Sequence, residues 1–129
     1  MLEQFEKCTL PDEAFRHRDH VRVAFIYLSR YDGLEALARF SSALSRFAKS
    51  KGKPSLYNET ITWAYLLIIR EPMARVGNPQ RWEEFAAGNA DLLNWKESLL
   101  KSYYREETLS SDLAKKVFLF PDKMSLPTS

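Results

Sequence analysis

Val21, Ala24, Tyr27 and Leu28 recur three and four positions apart, while Arg18, Arg22 and Arg30 fall outside that stripe. This spacing gives a helix one apolar face and predicts a first helix from about His17 to Tyr31. Asp32-Gly33-Leu34-Glu35 then reads as an N-cap with an acid at the third helical position. It opens a second helix to about Lys49, whose core stripe is Leu34, Leu37, Phe40 or Ser41, Leu44 and Phe47. Lys49, Lys51 and Lys53 complement the negative end of that helix, and Gly52 stops it. A phosphate patch is the costlier reading of these lysines, because they lack interleaved aromatics and a phosphate-cradling loop.

Pro54-Ser55 is expected to start a third helix with Tyr57, Asn58 and Glu59 in its first turn. The apolar run Ile61–Ile69 follows, so this helix is hydrophobic on most sides and is expected to be the buried central one. Pro72 should kink or end it near Glu71. Asn78-Pro79 has the form of an N-cap followed by proline at the first helical position, leading through Trp82 and Phe85 to Gly88. Asp91 to Tyr104 is amphipathic, with Leu92, Trp95, Leu99 and Tyr103 in register. Ser110 or Ser111 caps a last short helix to about Phe118. Residues 1–14 are expected to form an N-terminal arm and 119–129 an extended tail whose Leu126 packs on the body. With no repeat and no alternating strand pattern, the expected fold is all-α: one compact domain over 1–129, a bundle of about five to six helices.

Composition supports a packed core. Of 129 residues, 45% are hydrophobic and 28% charged, which suits one globular domain. Nineteen Lys and Arg stand against seventeen Asp and Glu, with the signs interspersed, which argues against a nucleic-acid or membrane-surface partner. The run Ile61–Ile69 falls short of the roughly 20 residues that span a bilayer. The acidic start MLEQFEKCTLPDE, with no apolar segment after it, predicts a cytoplasmic protein. Cys8, the single cysteine, has no intramolecular partner for a disulfide and no flanking activator.

Chemistry concentrates in FRHRDH, residues 15–20. His17 and His20 are three positions apart, so they share a helix face, and Val21, Ala24 and Tyr27 continue it. If the first three helices run up, down and up through short links, the first and third are parallel and begin at one end of the bundle. Tyr57, Asn58 and Glu59 then face the histidines. His17, His20 and Glu59 are the candidate catalytic residues: His20 as general base or ligand, His17 as its partner, Glu59 as orienting acid. The same three suit a divalent metal, as two imidazoles and a carboxylate, although the His-Glu-x-x-His spacing is absent. Asp19, Tyr27, Tyr57, Asn58, Thr62 and Trp63 are candidate ligand-binding residues, with Tyr65 alongside. Each has a plainer role: Asp19 and Glu59 complementing helix dipoles, His17 capping, Thr60 and Thr62 bonding back to carbonyls of their own helix, the aromatics filling the core. No Ser-His-Asp, Cys-His or glycine-rich phosphate motif occurs.

These segments resemble those of a group of small, largely uncharacterised bacterial proteins. There F-x-H-x-x-H opens the first helix, here Phe15, His17 and His20, ahead of an apolar run like RVAFIYL. Further blocks resemble Tyr57-Asn58-Glu59-Thr60-Ile61-Thr62-Trp63, and Phe120-Pro121-Asp122 through Leu126-Pro127. The resemblance implies a third histidine where this chain has Asn58, so this sequence departs from a three-imidazole site at one member. Two functions are consistent with the whole: a small helical enzyme or small-molecule-binding protein working at the His/Glu rim, and a non-catalytic interaction module or homodimer. The second would use Trp82, Phe85, Trp95 and Tyr104 as an exposed docking patch.

Overall fold

The computed structural model describes residues 2–77, 80–94 and 99–123, and among these every regular element is helical. The α-helices are α1 (Leu2–Glu6), α2 (His17–Arg30), α3 (Gly33–Ser50), α4 (Glu59–Val76), α5 (Trp82–Gly88), α6 (Glu106–Leu109) and α7 (Asp112–Lys116). Short 3₁₀ turns lie at Asp12–Ala14, Pro54–Leu56, Ala90–Leu93 and Leu99–Ser102. The body of the fold is α2, α3 and α4, packed mutually, with α1 against α3 and α7 against α4. No described helix is long and apolar enough to cross a membrane.

Local chemistry sets the helix boundaries. Asp19 closes the start of α2, its Oδ2 accepting from the Arg16 N–H at 3.0 Å. Asp32 caps α3 by accepting from the Glu35 N–H. The buried face of α3 is Ala36, Phe40, Ala43 and Phe47, not a stripe starting at Leu34, which is 84% exposed. Leu34 is two residues before Ala36, about 200° away around the helix, and so faces water.

The third predicted helix starts later than its proline suggests. Pro54 begins a 3₁₀ turn, Tyr57 is extended, and Asn58 is the N-cap of α4, its Oδ1 accepting from the Ile61 N–H at 2.9 Å. Nor does Pro72 end this helix, which runs on to Val76 and stops at Gly77 in the left-handed region, φ 78°. The ladder loses only the bond to the Ile68 carbonyl, proline's φ is already helical, and Ile69 and Met73 hold the turn against the core.

The segment from residue 2 to residue 14 packs on the body of the fold. Phe5 is fully buried, stacked on Phe15 at 4.7 Å between ring centres and tilted against Phe47 at 5.2 Å. Asp91 to Tyr104 is not one helix in its described part but two 3₁₀ turns, with Leu92, Leu100 and Tyr104 buried and Tyr103 exposed. Asn78-Pro79, Trp95 and Leu126 lie outside the described residues. The proposed aromatic docking patch does not exist in its described members, because Trp82, Phe85 and Tyr104 are all buried. Trp82 and Phe85 pack on Phe25, and the Tyr104 hydroxyl donates to the Leu119 carbonyl at 2.7 Å.

After α7, whose N-cap is Ser111, the chain returns along α4. Thr60 holds it there, its buried hydroxyl donating to the Val117 carbonyl (2.9 Å) and accepting from the Leu119 N–H (3.1 Å). This is neither a pocket contact nor a bond within the helix. Thr60→Val leaves both backbone groups without their partner and is expected to cost about 2 kcal/mol, read from urea denaturation midpoints. An unchanged midpoint would show that the strap adds no stability.

Candidate functional site

A cavity of about 830 Å³ opens between α2, α3 and α4 at the end where the candidate residues cluster. Its lining descends each helix in turn-length steps: His17, His20, Val21 and Ala24 on α2, and Asn58, Ile61, Thr62, Tyr65 and Ile69 at the start and along α4. On α3 the order is reversed, from Lys51 at the mouth through Ala48, Phe47 and Leu44 to Phe40. The helices are therefore arranged up, down, up, and α2 and α4 start at the same rim. Below the rim the wall is almost wholly aliphatic and aromatic.

The histidines both line this cavity, each in a defined environment. The Nε2 of His17 lies 2.8 Å from the Leu92 carbonyl, which requires a proton on Nε2 and makes Nδ1 the unprotonated nitrogen of the neutral ring. Its ring meets Tyr65 edge-on at 5.0 Å. His20 stacks on Phe15 at 4.0 Å and hydrogen-bonds the Phe15 backbone. Burial, with a smaller contribution from His17, lowers the His20 pKa from 6.5 to about 4, partly opposed by Asp19 and the Phe15 backbone. Burial likewise lowers His17, against the effect of its bond to Leu92. Both rings are held neutral.

Glu59 does not join them. Its carboxylate accepts from the Tyr57 hydroxyl, and Glu59 is absent from the cavity wall. Among the described residues no three His, Cys, Asp or Glu side chains are grouped to hold a metal, so His17, His20 and Glu59 do not make a three-ligand centre. The reason is local: Glu59 sits in the first turn of α4, two residues from Tyr57, whose phenol reaches it directly. Burial and that carboxylate together push the Tyr57 pKa up, so the phenol keeps its proton.

The other candidates divide. Tyr57, Asn58 and Thr62 line the cavity, as does Tyr65. Asn58 spends both ends of its amide on the fold: Oδ1 caps α4 and Nδ2 donates to the Leu109 carbonyl at 2.7 Å. Thr62 bonds back to the Asn58 carbonyl at 2.7 Å. Asp19 is the α2 capping acid and does not line the cavity. Tyr27 points elsewhere, donating to the Glu6 carboxylate. Trp63 lies outside the cavity, stacked on Phe118 at 5.4 Å, with its buried Nε1 lacking a partner among the described residues.

Lys51, Lys53 and Ala48 also line the cavity, although the sequence offers a site role only for the lysines, as the costlier phosphate-patch reading. The lysines read as helix termination, which Lys51 does also perform at the C-cap of α3. Ala48 and Ala24 matter through the volume they leave open, which appears only when three helices are assembled. No family model, curated protein or solved structure matches this chain.

Proposed function

We propose that this protein binds a small, mostly apolar molecule in the cavity between α2, α3 and α4, with His17 and His20 as neutral polar contacts at its rim. The observation that carries this reading is the cavity itself: about 830 Å³, apolar in depth, with convergent polar groups at one end. That size lies within the range of about 300–1,000 Å³ usual for small-molecule sites. A closely packed core has no comparable void, and apolar cavities take up apolar guests.

Binding is favoured over acid–base catalysis. A general base works best with a pKa near the ambient pH, and His20, at about 4, is a weak proton acceptor at neutrality. Its stacking on Phe15 and its neutrality suit a wall that accepts one hydrogen bond from a guest. The buried state of Trp82, Phe85 and Tyr104 removes the main support for the interaction-module alternative.

The neutral fluorescent probe N-phenyl-1-naphthylamine tests this reading. Its emission should rise and shift to the blue with wild-type protein, and Ala24→Phe, which fills the floor of the cavity, should weaken binding at least tenfold with an unchanged circular dichroism spectrum. Ala48→Leu narrows the same space from α3 and should weaken binding in the same direction. No binding by the wild type, or equal binding by both filled variants, would refute the proposal.

A further inference from the structure

We infer that the molecule this cavity takes is an anionic amphiphile: a hydrocarbon chain seated between the helices, with one acid group, such as a carboxylate, at the lysine-lined mouth. This rests on the ligand-binding reading above and specifies its ligand class.

The shape argues for a chain. On α4 the lining runs from Asn58 to Ile69, and on α3 from Lys51 to Phe40. At about 1.5 Å of rise per residue each path is about 16 Å long, enough for an extended chain of about ten carbons. The deep positions, Ala24, Phe40, Leu44 and Ile69, offer that chain no hydrogen-bonding side chain.

The charges argue for the sign of the head. Among the described lining residues the cationic side chains are Lys51 and Lys53 and the acidic one is Glu13, and Lys51 has the geometry that carries the argument. Lys51 is not a free surface lysine. It is half-buried, with Nζ 5.2 Å from the centre of the Phe47 ring and 3.5 Å from the Cys8 carbonyl, which keeps the ammonium beside the apolar wall. The positive ends of α2 and α4 meet the same rim. The acids of their first turns are not in the cavity lining and each already accepts a hydrogen bond, Asp19 from the Arg16 N–H and Glu59 from the Tyr57 hydroxyl. An anionic head therefore meets fixed positive charge at the point where its chain enters apolar surroundings, whereas an ammonium head is repelled there.

Displacement of N-phenyl-1-naphthylamine by decanoate, 1-decanol and decylamine, each below its aggregation threshold, separates the possibilities. Decanoate should displace the probe at least tenfold more effectively than decanol, and decylamine should be the weakest. The double variant Lys51→Met/Lys53→Met should lose about tenfold for decanoate and leave decanol unchanged. Decanol equal to or better than decanoate on the wild type, a comparison that needs no variant, overturns the anionic head. So does a probe that binds and is displaced by none of the three. Failure of the probe itself to bind instead refutes the ligand-binding reading on which this inference stands.

Discussion

Phe5→Ala is expected to lower the unfolding free energy by about 3–5 kcal/mol, the range for truncating a fully buried phenylalanine. Phe5 has no exposed surface and sits in a three-ring cluster with Phe15 and Phe47, whose own rings are 5.1 Å apart. Phe15 and Phe47 in turn form part of the cavity wall, and Phe15 carries the stacked His20. The truncation thus removes packing from behind the site as well as from the core. Urea denaturation of the purified variant reads the loss directly. A loss below about 1 kcal/mol would mean that α1 does not dock on α3 as described.

Acid should destabilise the protein through His20. Its pKa in the folded chain, about 4, lies below the 6.5 of an unfolded histidine, so the unfolded state binds the proton more readily. The stability from keeping this ring neutral is therefore complete above pH 6.5, declines as the pH falls below that value, and is fully lost below about pH 4. The drop corresponds to about 3 kcal/mol. His17, lowered in the same direction, adds to the slope. Among the described residues, the charged and titratable groups around His20 are His17 and Asp19 on α2, Tyr57, Lys51 and Lys53 across the cavity, and Glu13. Denaturation midpoints of wild type and His20→Gln, measured from pH 7 to pH 4, isolate the histidine. The wild type should lose stability more steeply, and parallel curves would show that His20 is not buried as a neutral ring.

The parts of this fold legible in the sequence are those decided locally. The α2 stripe, the Asp32 cap with Glu35 beyond it, and the Ser111 cap each depend on residues within one turn, and each appears in the structure. Up-down-up packing of α2, α3 and α4 follows from short links between helices, and it brings the histidines and Tyr57 to one rim. What was illegible depends on distant partners. The Leu92 carbonyl that orients His17, the Leu109 carbonyl that takes the Asn58 amide and the strap that takes Thr60 are more than fifty residues away in the chain. Phe5 looked like part of an arm because five residues carry too little periodicity to show a buried face. The sequence pairs Glu59 with the histidines because a carboxylate near two imidazoles is the expected partner, yet the adjacent Tyr57 reaches it first.

A pocket at the histidine rim is what the sequence leads one to expect, but its depth was the least legible feature, since that is made by what alanine leaves empty and not by what any side chain contributes. Methyl chemical-shift mapping with N-phenyl-1-naphthylamine tests it most directly. The ring currents of the bound probe should move the methyl signals of Val21, Ala24, Leu44, Ile61 and Ile69 most, and leave the exposed Leu34, Leu67 and Leu113 in place. Unmoved signals inside the three-helix body, or the largest shifts on those surface leucines, would contradict the account.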